Sequence, residues 1–377
     1  MERFDDIRPY RDNEIEDAMK RIAASEHFPA VCRYVYPDRD INDVRDEICG
    51  YSAVRQFQYS VMKAFNEQVI KRSIRNFTFS GVENIPRDKA CLYVSNHRDI
   101  VLDACLMQYI LYLNDIPTTE ITFGANLMNG DFVVDIGKSN KMFRVERGGT
   151  PKEFYRNSLM LSEYLHHTIC ENGESVWIAQ RNGRTKDGID RTNPAIIRMF
   201  VMGSEKTPEQ ALADLSIIPV SVSYQWEPCD FLKAYEVYIT ERDRAYVKKK
   251  GEDLNSILTG IMQQKDDFHM HFGTPLTHEH LRPLAGLPMN RFSKEVSQML
   301  DKEINGNYKP MTSNYIAADI LESTDNFCDH YTETELEAFI KRMDGLEIYD
   351  VENPERLRNI YLGIYANPIK NRGLSIP

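Results

Sequence analysis

Cys91-Leu92-Tyr93-Val94-Ser95-Asn96-His97-Arg98-Asp99-Ile100-Val101-Leu102-Asp103 is the stretch that decides the fold. Its first five residues form a short apolar run that reads as a buried strand, and residues 104–113 read as a helix. A histidine therefore stands in a strand-to-helix turn with Asp99 and Asp103 behind it. Such a turn suits a general base and a carboxylate that orients it. Asp99 also suits the cap of the following helix. A lone histidine after a buried strand is more often a packing residue, so both readings stand at this point.

The same alternation extends outward. Further strand signals lie at 77–81, 121–123, 141–145, 175–179, 216–222, 235–239 and 269–273, with helical stretches at 151–171, 194–202 and 243–264. Strands alternating with helices imply an α/β fold, a mostly parallel or mixed central sheet flanked by helices. Pro219 argues that its strand lies at an edge, carries a bulge or begins there. Residues 1–76 read as an N-terminal helical segment, with Asp12 and Ser52 as caps and an apolar face of Val54, Phe57, Val61, Phe65, Val69 and Ile70. Residues 77–284 hold the chemistry-bearing motifs, and 285–377 read as a helical C-terminal extension serving as a structural cap.

Composition narrows the function classes. The chain has 377 residues, 27% charged, and a formal net charge of −11, which argues against a nucleic-acid binder. Seven scattered cysteines without metal-ligand spacing suggest reduced thiols, hence a cytoplasmic location, and no metal. The charged N-terminus does not read as a signal peptide. No window approaches the ~20 apolar residues of a membrane span. Lys71, Arg72 and Arg75 end an amphipathic helix. They complement its dipole or, alternatively, touch the inner face of a membrane.

Two basic loops follow the histidine turn. Phe143-Arg144-Val145-Glu146-Arg147-Gly148-Gly149 is a strand end carrying arginines whose planar fork suits phosphate oxygens. Ala179-Gln180-Arg181-Asn182-Gly183-Arg184-Thr185-Lys186-Asp187-Gly188 ends an apolar strand in a glycine-bearing basic loop, able to cradle an anion or to be only a solvated turn. Neither a Walker loop, a dinucleotide fingerprint nor a G-x-S-x-G elbow is present.

These pieces, in this order, resemble the glycerolipid acyltransferases, the glycerol-phosphate and lysophosphatidic acid acyltransferases. That family shows N-H-x-x-x-x-D, an F-x-x-x-R-like strand end, E-G-T-R-S or a variant, and a V-P-V-like strand. Here these are matched by Asn96-His97 with Asp103, by Phe143 to Arg147, by Asn182-Gly183-Arg184 and by Ile218-Pro219-Val220. The flanks Gly81-Val82-Glu83-Asn84-Ile85-Pro86 and Phe272-Gly273-Thr274-Pro275-Leu276 are similar too, so the likeness covers about 76–280. The resemblance implies transfer of an acyl chain from acyl-CoA or acyl-carrier protein to a hydroxyl of a glycerol-phosphate-type lipid, without metal or cofactor. It implies His97 as general base, Asp103 as its partner, and Arg147, Asn182, Gly183, Arg184, Lys186 and Pro219 as substrate-binding residues. Two departures stand out. The family's aspartate position is Leu102 here, with Asp103 one residue late and Asp99 the fallback, and the loop glutamate is Asn182. Transfer to a non-phosphate acceptor such as an amino-acid lipid, and a non-catalytic lipid-binding protein on the same fold, are the alternatives.

Overall fold

A seven-stranded sheet runs through the computed structural model, which describes residues 3–128, 130–146 and 148–373. Its strands are β1 (Ile74–Ser80), β2 (Leu92–Ser95), β3 (Glu120–Gly124), β4 (Met142–Val145), β5 (Val176–Ala179), β6 (Ile217–Tyr224) and β7 (Asp266–Phe272). They lie in the order β1-β7-β6-β2-β5-β3-β4. Neighbours run parallel except β6 and β7, so the sheet is mixed, with helices on both faces.

The sheet is apolar on both sides because both sides are covered. β2 lies at its middle with all of its residues buried. Tyr93 faces the helix Leu102–Leu113, packing with Leu106, Met107 and Ile110. Leu92 and Val94 point the other way. They join Leu165, Phe200, Val296 and Leu300 from the helices Pro151–His166, Pro194–Met202 and Met289–Gly306. Both helical termini of the chain are built into this arrangement.

The N-terminal helices Asp12–Ala24, Phe28–Val35 and Ile41–Cys49, with the helical run 54–73, form a layer of their own core. Between that layer and the sheet lies an apolar cavity of about 300 Å³, walled by Phe28, Phe57 and Phe65 on one side and by Cys105, Ile257 and Ile261 on the other. At the other end of the chain, the helices Thr312–Glu322 and Pro354–Asn371 pack on each other and on the helix Asp230–Asp243.

Four local expectations are corrected. Residues 235–239 are not a strand but part of the helix Asp230–Asp243. Their alternating pattern satisfies a strand period. A helix instead turns Ala234 and Tyr238 together onto Tyr361 and Ile364, and that packing decides. Past Asp243, which ends the preceding helix, the charged stretch 243–264 is helical only at Glu252–Met262, since Arg244 takes a left-handed φ of 60°. Pro219 occupies a central strand, because it stands one residue before the β7 ladder begins at Val220. There its carbonyl accepts from Gly273 N at 2.8 Å and no N–H is required of it. Finally, Asp12 is the first residue of its own helix and caps another one, its Oδ1 accepting from Val54 N at 2.9 Å, so Ser52 is not the cap.

Candidate active site

The histidine turn is built at the C-terminal end of β2. Beyond Ser95 the strand's ladder to β6 is continued by a side chain. Asn96 Oδ1 accepts from Val222 N at 2.8 Å while its Nδ2 donates to Val222 O at 3.0 Å. This clamp fixes the exit direction of the chain and so the place of His97. His97 is 7% exposed, with Trp177 of β5 set edge-on to its ring at 5.7 Å.

Asp103 is the carboxylate that meets the ring, its Oδ2 lying 3.0 Å from His97 Nδ1. The same oxygen accepts from the backbone N–H groups of Arg98 at 2.6 Å and Asp99 at 2.9 Å, and Oδ1 accepts from the Tyr224 hydroxyl at 2.9 Å. Four donors thus hold a fully buried anion, the condition under which a buried carboxylate is tolerated. With Nδ1–H committed to Asp103, Nε2 is left to take a proton. Asp99 has the other task. Its Oδ1 accepts from Val101 N and Leu102 N, both at 2.8 Å, starting the helix Leu102–Leu113. The helix begins late enough for Asp103, in its first turn, to fold back over the turn.

The glycine-bearing loop is tied to this turn. Thr185 N donates to the His97 carbonyl at 2.8 Å, and Gln180 N to that of Ser95 at 2.8 Å. Gly183, with φ +78°, turns the chain so that Gly183, Arg184 and Lys186 line one narrow cleft with His97, Trp177 and Phe123. Arg184 lies beside the Cys229 thiol, which burial pushes up to about 11. Its Nη1 is buried and has no partner among the described residues. Lys186 is paired with Glu236.

A buried β-strand, a histidine on a carboxylate and an arginine across a cleft coincide with a sequence match: residues 76–223 fit the Acyltransferase family. The match spans 148 of the chain's 377 residues. Among solved structures, the 1-acyl-sn-glycerophosphate (LPA) acyltransferase PlsC from Thermotoga maritima is similar at 14% identity over 76% of this chain and 93% of that chain, with a TM-score of 0.35. No curated protein matches the chain.

The remaining expected site residues fall in different places. Asn182 is exposed and outside the cleft lining. Pro219 is buried in β6, also away from the cleft. Arg147 lies outside the described residues. Among the basic residues of the N-terminal segment, Arg75 pairs with Asp267 at 2.9 Å, and Arg72 donates to the Tyr34 carbonyl at 3.3 Å with its guanidinium over the Tyr34 ring. Among the described residues no group of three or more His, Cys, Asp or Glu is placed to hold a metal ion, and no helix is long and apolar enough to cross a membrane. A cavity of about 920 Å³ lies at the opposite ends of the strands, near Glu120 and Lys141.

Sequence reasoning missed the support beneath the cleft. Arg98, 1% exposed, reaches Asp190 at 2.5 Å and Glu227 at 3.3 Å. Lys233 Nζ donates to Glu227 and to the Arg98 carbonyl, both at 2.6 Å. Asp190 also accepts from Thr185 at 2.6 Å and from Asn96 at 3.2 Å. Two cations and two carboxylates therefore balance in the interior, joining the histidine turn, the glycine loop and the segment after β6. Such a network sets geometry more than it adds stability. Tyr224 was signalled only by ending an apolar strand. Asp190 and Glu227 carry no local signal.

Proposed function

We propose that this protein moves a fatty acyl chain from an acyl thioester to a hydroxyl of a glycerol-phosphate-type acceptor. The observation that carries this reading is the His97–Asp103 pair, 3.0 Å apart, opening on the same cleft as Arg184. His97 Nε2 takes the acceptor hydroxyl's proton as its oxygen attacks the thioester carbonyl. The imidazolium that forms is stabilised by Asp103. Collapse of the tetrahedral intermediate breaks the C–S bond, and the proton on His97 passes to the departing thiolate. The thioester is attacked directly, so the chain itself is not acylated.

Arg184 lines the cleft and is the cation proposed to meet an acceptor phosphate, where a charge-assisted hydrogen bond is strong. Gly183, Lys186 and Arg147 are proposed to complete that anion site. Phe123 lines both the cleft and the apolar cavity beneath the N-terminal helices, and that continuity suits an acyl chain. The donor is acyl-CoA or an acyl-carrier protein, met in the cytoplasm or at the inner face of a membrane.

The test is acyl transfer from a labelled thioester to paired acceptors with and without phosphate. Transfer to the phosphorylated acceptor is expected, with Arg184→Ala raising its KM roughly 10- to 100-fold, the value of a hydrogen bond to a charged group. Equal use of the acceptor lacking phosphate removes the anion-site assignment and favours an amino-acid-lipid type of acceptor. No transfer to any acceptor favours a lipid-binding protein.

A further inference from the structure

The helix Glu252–Met262 has two apolar faces, and only one of them is covered. On the inner face, Gly260 lies so close to Asp99 that a Cβ would stand 2.1 Å from its Oδ2, and Ile257 and Ile261 wall the apolar cavity. The outer face carries Leu254, Leu258 and Met262, spaced by four residues and 57%, 53% and 62% exposed, with Val247 upstream at 84%. Four of the ten exposed large apolar side chains among the described residues thus fall within residues 247–262. Scattered surface leucines need no explanation, but a stripe at helical spacing marks a contact surface.

Cations stand at both ends of the stripe. Lys248, Lys249 and Lys250 precede the helix and are exposed. Past its end, Lys265 binds Ser73 through its backbone N at 2.8 Å and its Nζ at 3.0 Å, which brings up the exposed Lys71 and Arg72. The nearby carboxylates are engaged by the chain itself: Asp253 by Lys248 at 2.5 Å and Asn126 at 3.1 Å, Glu252 by Lys249 N at 3.0 Å.

We propose that this face docks on an anionic lipid bilayer, with Leu254, Leu258 and Met262 entering the acyl boundary and Lys249, Lys250, Lys71 and Arg72 on the headgroups. An apolar stripe rimmed by cations matches the layering of a bilayer surface, apolar beneath anionic. Lys248 and Asp253 line the catalytic cleft, and Leu254 and Ile257 line the apolar cavity. The docked face therefore sets both openings against the lipid. The proposal rests on exposure and charge, and stands apart from the acyl-transfer reading.

Flotation of the full chain with phosphatidylglycerol–phosphatidylcholine vesicles tests it, with pure phosphatidylcholine vesicles alongside. The wild type is expected to float with the anionic vesicles only. The double variant Leu258→Ser with Met262→Ser should lose most of that flotation with an unchanged melting temperature, since both side chains already face water. The double variant Lys249→Ala with Lys250→Ala should partition roughly 20-fold more weakly, as should the wild type at high salt. A wild type that stays at the bottom of the gradient with anionic vesicles overturns the proposal. So does a stripe variant that floats as well as wild type, or binding of the stripe to a soluble acidic carrier protein while vesicles are ignored. Flotation reads no chemistry, so an inactive enzyme that floats separates this proposal from the catalytic one.

Discussion

At the scale of single residues, the late aspartate is the informative departure. A one-residue shift rotates a helical side chain by ~100°, which by itself turns Asp103 away from the histidine. The chain absorbs the shift in the turn: Asp99 caps the helix at Val101 and Leu102, and Asp103 folds back onto the Arg98 and Asp99 N–H groups and His97 Nδ1. Sequence alone left Asp99 and Asp103 as rivals because each is a short acidic side chain near the ring. What separates them is which one meets the backbone donors, a property of the folded turn. Asp103→Asn keeps an amide oxygen where three donors converge and turns its NH₂ to the Tyr224 hydroxyl, so what is lost is the negative charge that stabilises the imidazolium. The expected outcome is a fall in kcat of roughly 10²- to 10⁴-fold, the range for loss of effective acid–base catalysis. Tyr224→Phe is its control. It keeps the His97 contact, and steady-state kinetics on both variants should show a far smaller loss for Tyr224→Phe.

At the scale of elements, the strands were legible where burial on both faces leaves an apolar run, as in 91–95 and 175–179. The reading failed where packing overrides pattern: Tyr235-Glu236-Val237-Tyr238-Ile239 alternates like a strand, yet Lys233, Ala234 and Tyr238 are turned inward by a helix. The glycine loop shows a second limit. Its basic residues were visible, but what holds them was not. Asn367 and Asn371 of the helix Pro354–Asn371 donate to the carbonyls of Asp187 at 2.7 Å and Gly188 at 2.9 Å. Gly188 has φ +75°, and a Cβ there would come within 2.3 Å of the Ile364 carbonyl. Gly188→Val must therefore push the helix away from the loop as well as strain the backbone. A loss of about 1–3 kcal/mol in unfolding free energy is expected from the backbone alone, read by denaturant titration. A raised KM for the acceptor at nearly unchanged kcat should accompany it, because Arg184 moves with the loop and His97 does not.

At the scale of the molecule, the layers beyond residues 76–223 pack around the cleft. The N-terminal helices roof the apolar cavity, and the C-terminal extension braces the loop that carries Arg184. Besides the contacts to Asp187 and Gly188, Asn305 donates to the Asp190 carbonyl at 3.1 Å, and Asp301 accepts from Thr192 N at 2.7 Å. The helical character of residues 285–377 was readable from their composition. Their hold on residues 187–192 was not, since it joins segments more than a hundred residues apart through asparagine and aspartate side chains that look like ordinary surface positions. The same distance hid the Arg98–Asp190–Glu227–Lys233 network, whose members are individually unremarkable in sequence. Motif residues are therefore legible one by one, while the support that aims them is a long-range property of the fold. All of it surrounds a single atom, Nε2 of His97, the proposed base. The most direct measurement is the single-turnover rate of acyl transfer by wild type and His97→Ala, with the substrates bound to saturation. A rate roughly 10²- to 10⁴-fold lower in the variant, at unaltered lipid affinity, is the predicted result. Transfer by His97→Ala at the wild-type rate contradicts the account.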